Sequence, residues 1–205
     1  MSNPAASQPT ADRSKWTNLI VFAAIVVVVF AIFRFRPFGD PAPESHDAVG
    51  RKVPVVEIEP LTGGAEPVTR EGLRGKVVLL NFWATSYPVC REHLPRLAAI
   101  ADEFADEADF KLLAVSCGAA GPEDPEILRR ETEKVLKELK LDLPTYGDPT
   151  GATQESFRDV ARFNSVPTTY LLDRDLTIRG VWEGYREGIE SQMKELIEKQ
   201  LEKSE

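Results

Sequence analysis

Cysteine is scarce in this sequence: Cys90 and Cys117 are the two that occur among its 205 residues. A framework of several disulfides is therefore excluded, and one bridge or two free thiols remain open. The sequence also lacks any block of lysine and arginine long enough to follow a phosphate backbone, and its formal net charge is −8. A nucleic-acid partner is therefore not expected. No internal repeat is visible.

The composition fits one globular domain. Hydrophobic residues make up 42% of the chain and aromatic residues 8%. A domain of about 150 residues buries on the order of 70% of the surface of its unfolded chain, which is enough to form a core without disulfides or metal. A second full domain is therefore not expected.

One long apolar run lies near the N terminus. Leu19 to Phe33 are continuously apolar, and Trp16 and Phe35 suit the two interfaces of a bilayer. The alternative is the apolar region of a cleaved signal peptide, but the basic segment 34–37 follows directly, where cleavage requires small residues. The sequence therefore predicts one transmembrane helix over residues 16–36.

The rest of the chain divides by composition. Residues 1–15 are small and polar without periodicity, which predicts a disordered tail. Residues 37–48 are rich in proline and predict an extended tether between the membrane and the folded domain. The folded domain is expected over residues 49–205.

Hydrophobic periodicity within this domain predicts alternating strands and helices. In chain order the predicted elements are a strand over 53–58, a strand over 76–82, a helix over 88–107, a strand over 110–116, a helix over 125–140, a short helix over 157–163, a hairpin of 168–172 with 176–182, and a final helix marked by Ile189, Met193, Leu196, Ile197 and Gln200. A βαβ half followed by a ββα half predicts an α/β fold with a mixed central sheet flanked by helices.

Three separated segments resemble the membrane-anchored thioredoxin-like proteins of the TlpA/ResA type, a redoxin-related family. The main one is Gly75–Thr85 (GKVVLLNFWAT), which is followed by Pro88 and Cys90. Ser165–Asp173 (SVPTTYLLD) resembles the strand of that family that follows a cis-proline, and Pro54–Ile58 resembles its entry strand. The resemblance implies a thioredoxin-like fold, a cis bond between Val166 and Pro167, and a role in thiol-disulfide oxidoreduction and cell redox homeostasis.

The family carries a Cys-x-x-Cys pair at a helix N terminus, where the helix dipole and free amides stabilise a thiolate. The corresponding positions here are Tyr87-Pro88-Val89-Cys90. The resemblance therefore implies that the attacking sulfur is absent and that Cys90 occupies the resolving position. A dithiol cycle within this degenerate motif is impossible, and the expected site has one cysteine.

Cys90 is therefore the catalytic candidate, and Cys117, whose place in the sheet is considered below, is a second candidate. The residues expected to contact an extended polypeptide are Trp83, Tyr87, Pro88, Val166, Pro167 and Thr168. No metal or other cofactor is expected.

A bridge between Cys90 and Cys117 is one way to restore a redox pair. The carboxyl ends of parallel strands meet at one edge of a sheet, so Cys117 is expected on the same edge as the helix that carries Cys90. A bridge requires Cα atoms within about 7 Å and converging Cβ vectors. The alternative for Cys117 is a small buried hydrophobic side chain.

Two further chemistries compete. Peroxiredoxins resemble this region with Thr-x-x-Cys, but Tyr87 occupies the threonine position and their arginine falls near Pro167, which leaves Arg91 as a poor substitute. Copper(I) binding by Cys90 and His93, three residues apart on one helix, with Cys117 as a third ligand is the other interpretation. A lone histidine on a helix is more often a solvated side chain.

The last alternative is a redox-silent thioredoxin fold that binds an extended polypeptide beside the cis-proline strand. In either form the expected partner is a protein substrate or client outside the cytoplasm, and a membrane electron donor is a further candidate. Basic residues lie on both sides of the predicted span, so charge does not orient it. The family resemblance implies a single-pass membrane protein with its domain on the extracytoplasmic, periplasmic side.

Overall fold

A computed structural model describes residues 21–22, 24–25, 42–64, 66–118 and 124–203. The chain divides into a first unit, Met1–Asp40, and a second unit, Pro41–Glu205.

The four described residues of the first unit are helical. The predicted tail over 1–15 and the rest of the predicted span over 16–36 lie outside the described residues. Among the residues that are described, no helix is both long enough and apolar enough to cross a membrane.

The second unit is built on a mixed sheet, which confirms the predicted thioredoxin-like α/β class. Its described residues form seven strands, β1 (Glu57–Thr62), β2 (Val68–Thr69), β3 (Val77–Trp83), β4 (Phe110–Ser116), β5 (Thr145–Gly147), β6 (Thr168–Leu172) and β7 (Ile178–Glu183). Their order in the sheet is β2-β1-β5-β4-β3-β6-β7. Strands β3, β4 and β5 run parallel to one another, whereas β6 lies antiparallel to β3.

Strand β3 is buried on both faces. All seven of its residues are buried, as the apolar run predicts for a central strand. Because side chains alternate between faces, Phe82 packs into one core cluster and Leu79 into another. Asn81, the polar residue of the strand, donates its side-chain amide to the Thr169 hydroxyl at 2.9 Å and so ties β3 to β6.

Four helices cover the sheet in the part of the chain that the structure describes: α1 (Pro88–Glu103), α2 (Pro125–Leu139), α3 (Ala152–Ala161) and α4 (Ile189–Leu201). Side chains of α1, α2 and α4 pack against the face that includes Leu79 and Trp83. Phe157 and Ala161 of α3 pack on the opposite face with Phe82. Both faces of the central strand are therefore withdrawn from water.

The entry strand differs from its prediction. Residues 53–56 were expected within a strand, but β1 starts at Glu57 and ends at Thr62. Pro54 has no amide to give to a ladder, and the Val55 amide donates to the Ser156 hydroxyl instead. The apolar side chains of Val53 and Val56 are core residues without being strand residues.

Other differences concern short elements and their boundaries. Strands β2 and β5, which have two and three residues, were not predicted because a periodic pattern needs more positions. Helix α3 begins at Ala152 rather than Phe157, and its first turn is polar on the surface but places Thr153 inside. Strand β7 begins at Ile178, because Leu176 lies in a turn with φ of 62°.

The last part of the predicted tether lies against the folded domain. Residues Pro43–Ser45 form a short 3-10 helix in which Pro43 is buried. Glu44 accepts a hydrogen bond from the Lys199 ammonium of α4 at 2.7 Å. Ala48 belongs to a core cluster. The described portion of the tether is therefore a packed segment.

Candidate functional site

The candidate site lies where β3 ends and α1 begins. Trp83 is the last residue of β3, Tyr87 is the N-cap of α1, and Pro88 is the first residue of the helix. Proline suits this position because its missing amide has no partner there in any case and its φ is already helical. Cys90 therefore lies in the first turn of α1, at the edge where the parallel strands end.

The cis-proline loop lies beside this turn. The bond between Val166 and Pro167 is cis, as the resemblance implies. The Gly184 amide donates to the Pro167 carbonyl at 2.8 Å, and the Thr168 hydroxyl donates to the Ser165 carbonyl at 2.8 Å. These contacts join the loop to β7 and fix the start of β6.

The predicted contact residues differ in exposure. Tyr87 is 44% exposed, Pro88 is exposed and Val166 is half-buried. Trp83, Pro167 and Thr168 are buried. Tyr87, Pro88 and Val166 therefore form the accessible part of the predicted contact surface.

Trp83 supports the site from inside the core. Its ring packs in one cluster with Cys90 and Leu94, and its side chain is 0% exposed. Its indole nitrogen has no hydrogen-bond partner among the residues that the structure describes.

Cys90 is a buried thiol. Its side chain is 1% exposed and packs among the apolar residues that include Trp83 and Leu94. Burial raises the pKa of Cys90 above its ordinary value, and this effect outweighs a hydrogen bond with the Ala84 backbone, which lowers it. The thiolate is the nucleophilic form of cysteine, so Cys90 is poorly suited to attack a disulfide at neutral pH.

Cys117 is also buried, and it lies on the other side of the sheet. Its amide donates to the Trp83 carbonyl at 2.7 Å, which continues the pairing of β3 with β4. Its side chain packs with Val115 and Phe82, whereas Cys90 packs in the cluster of the opposite face. Both cysteines are free. The strand brings Cys117 to the predicted edge, but the alternation of side chains places the two thiols in different core clusters.

The pKa of Cys117 is raised to about 12. Burial is the largest cause, and the Asp148 carboxylate and the Cys90 thiol raise the pKa further, while the Trp83 backbone and the Arg158 guanidinium lower it. At neutral pH this thiol is protonated.

His93 was expected to be solvated, and that expectation is wrong. Its side chain is 1% exposed, and its ring stacks on Tyr185 with centroids 4.9 Å apart. Neither ring nitrogen has a hydrogen-bond partner in the described part of the chain. Within the described residues, no group of three or more histidine, cysteine or acidic side chains is arranged to hold a metal ion.

Arg91, considered as a substitute for the peroxidase arginine, is directed elsewhere. Its guanidinium forms an ion pair with Glu138 on α2. It therefore acts as a link between two helices on the surface, and it has a partner already.

A cavity of about 380 Å³ opens beside Tyr87. Its lining residues are Tyr87, Cys117, Gly118, Gln154, Arg158, Phe163, Asn164, Ser165 and Val166. Tyr87, Cys117 and Val166 were expected at the site from the sequence, whereas the polar lining residues on α3 and in the loop before Pro167 were not. Gln154 and Arg158 are four residues apart, which is the spacing of one helix face, but recognising that face required the correct start of α3.

Comparison with known proteins agrees with this geometry. A sequence model of the AhpC/TSA family matches residues 49–181. The chain is 30% identical over 137 residues to the thioredoxin-like protein YneN of Bacillus subtilis, which covers 66% of this chain and 71% of that protein. It is 25% identical over 189 residues to the thiol-disulfide oxidoreductase ResA of Geobacillus kaustophilus, covering 92% of this chain and 97% of that one.

The fold has solved counterparts as well. A thiol:disulfide interchange protein of the thioredoxin family from Chlorobium tepidum superposes with a TM-score of 0.58 at 20% identity, covering 76% of this chain and 99% of that chain. This likeness supports the thioredoxin fold. Together with the relatives above, it confirms the TlpA/ResA-type resemblance.

The burial of His93 predicts that the free energy of unfolding depends on pH. Burial lowers the pKa of His93 from 6.5 to about 4, and the Glu190 carboxylate opposes this only in part. Between pH 6.5 and pH 4, His93 binds a proton in the unfolded chain but stays neutral in the folded protein. The free energy of unfolding therefore falls as pH falls. We expect His93→Leu to remove about 3 kcal/mol of this loss between pH 6.5 and pH 4.

Urea unfolding at pH 7 and pH 4, followed by circular dichroism, measures this difference. His46→Asn is the matched control at the other histidine and should retain the wild-type pH dependence. An unchanged pH dependence in His93→Leu would show that His93 is not the group responsible.

Proposed function

The chain belongs to the AhpC/TSA family, and we propose that within it this protein is a membrane-tethered, extracytoplasmic thiol-disulfide oxidoreductase-type protein with a one-cysteine site. Binding of an extended segment of a client protein, rather than turnover of its disulfides, is the function that the geometry supports best.

One observation carries this proposal. The exposed residue at the N-cap of α1 is Tyr87, whereas the cysteine of the same turn, Cys90, is 1% exposed. A client that approaches the turn therefore meets a phenol ring before it meets a sulfur. An exposed aromatic ring with a polar tip is typical of binding surfaces.

The surroundings of Tyr87 support binding as well. The cavity beside it reaches the loop before Pro167, so that Tyr87 and Val166 are both lining residues. Pro88 is exposed on the same turn. These three residues offer apolar area and the cavity offers polar groups, which is the combination found at ligand sites.

Tethering to the membrane is part of the proposal. The apolar run within 16–36 supports an anchor, with the tail 1–15 on one side of the bilayer and the tether 37–48 and the domain 49–205 on the other. The relatives named as thiol-disulfide oxidoreductases support a client that carries cysteines. Disulfides persist outside the cytoplasm, which favours an extracytoplasmic domain.

A second candidate function is slow monothiol exchange by Cys90, with Cys117 as the second candidate thiol. The hydrogen bond with the Ala84 backbone, which lowers the Cys90 pKa, favours it. In this reaction the Cys90 thiolate would attack a client disulfide, form a Cys90–client bond and release the other client sulfur as a thiolate. An external thiol, supplied by a membrane electron donor, would then have to break the mixed disulfide.

The first test compares disulfide turnover with and without a second cysteine. We expect the wild-type protein not to accelerate the reduction of insulin by dithiothreitol, because position 87 offers no attacking thiolate. Tyr87→Cys is the informative variant, since it places a sulfur at the exposed N-cap where the helix dipole stabilises a thiolate. We expect it to gain measurable turnover, recorded as insulin turbidity.

Cys90→Ser is the control for this assay. Turnover by the wild-type protein at rates like those of thioredoxin, abolished in Cys90→Ser, would contradict the binding proposal and favour the monothiol candidate.

The second test concerns topology. Alkaline phosphatase fused after Glu205 should be active in a bacterial host, because the enzyme matures only where disulfides form. A reporter active only in the cytoplasm, fused at the same residue, should be inactive. The reverse result would place the domain among reduced thiols and contradict the extracytoplasmic proposal.

A further inference from the structure

Among the described residues that line the cavity beside Tyr87, one carries a formal charge, and that charge is positive. Arg158 is the charged member, while Gln154, Asn164 and Ser165 are polar and neutral. Cys117 at the same cavity is a protonated thiol. A positive cavity on a chain of net charge −8 favours a ligand group of negative charge.

Within the described part of the chain, the Arg158 guanidinium has no hydrogen-bond or ion-pair partner, and the residue is exposed; its backbone carbonyl accepts from the Arg162 amide at 3.0 Å. Its guanidinium lies close enough to Cys117 to lower the pKa of that thiol. The Asp148 carboxylate affects the pKa of Cys117 more strongly than Arg158 does, but it does not line this cavity, and it accepts hydrogen bonds from the Thr153 and Gln154 amides at the start of α3. The guanidinium is therefore available to a ligand.

A second cavity, of about 400 Å³, has Asn164 as a lining residue in common with the first and is lined further by Trp182, Glu183 and Arg186. Two cavities that meet at one residue suit a ligand longer than a small anion. A polypeptide that lies across the loop would place one side chain in the first cavity while its neighbours continue into the second.

We propose that the cavity formed with Arg158, Gln154 and Asn164 selects clients by accepting an aspartate or glutamate side chain from the bound segment. This specificity rests on the proposed function, and it names the chemistry of the segment that the site prefers. Arginine holds a carboxylate through two parallel hydrogen bonds, and the amides of Gln154 and Asn164 can donate further ones.

The expected preference is moderate, because Arg158 is exposed to solvent. An exposed ion pair supported by charge-assisted hydrogen bonds gives about a 3- to 10-fold difference in affinity between an acidic and a neutral side chain. The preference should weaken as salt is added, since salt screens exposed charges.

A library of randomised heptapeptides displayed on phage tests this proposal with the full chain, purified in detergent and immobilised. We expect the wild-type protein to enrich peptides with aspartate or glutamate, and Arg158→Glu to lose that enrichment and favour lysine or arginine. Arg158→Gln should lose the acidic preference without gaining a basic one. Lys134→Glu, an equal charge change at an exposed residue of α2, should behave like the wild type.

The outcomes separate the specificity from the binding function. Enrichment of peptides without an acidic preference, or an acidic preference that Arg158→Glu leaves intact, would overturn the specificity and leave client binding standing. Absence of any enrichment by the wild-type protein would overturn both. Circular dichroism of each variant checks that the charge change leaves the fold intact.

Discussion

Burial of strand β3 on both faces is the constraint on which the rest of the structure depends. Its fully buried side chains hold helices α1, α2 and α4 on one face and α3 on the other. That arrangement places the first turn of α1 at the end of β3 and pairs β4 alongside. Both cysteines are thereby drawn into the core, Cys90 by the inner side of α1 and Cys117 by the end of β4. Desolvation of the two thiols follows directly, and with it the rise of both pKa values.

The burial of β3 also explains why the residue at position 87 matters, since it fixes the N terminus of α1 at the edge of the sheet. A helix N terminus favours negative charge, and in the related redox motif a cysteine at that position benefits from it. With a phenol in that place, the sheet edge keeps the cis-proline loop and the cavity but has no exposed sulfur. The proposed client binding uses these same elements to position a bound chain, and the proposed specificity assigns the choice among clients to the neutral and basic groups around the cavity.

Much of this could be predicted from the sequence because long apolar runs and the cis-proline segment determine the central elements. The runs at 76–82 and 110–116 correspond to β3 and β4, and the thioredoxin-like class follows from their order. Elements of two or three residues were beyond that reasoning, since their position depends on pairing with distant strands. The environment of His93 was also beyond it: the spacing from Cys90 suggested a ligand, but burial against Tyr185 depends on the segment after β7. The helix face that carries Gln154 and Arg158 was missed because the predicted helix began at Phe157, after the polar first turn that includes Gln154.

The account depends most on the claim that neither thiol is a nucleophile in the folded protein. Alkylation by iodoacetamide, measured by mass spectrometry on the native protein from pH 6 to pH 9 and on the same protein in guanidinium, tests it directly. The account predicts that Cys90 and Cys117 are both unmodified in the native protein across this range and both modified after unfolding. Rapid modification of Cys90 in the native protein, with a midpoint below the ordinary cysteine pKa of about 8.5, would contradict it.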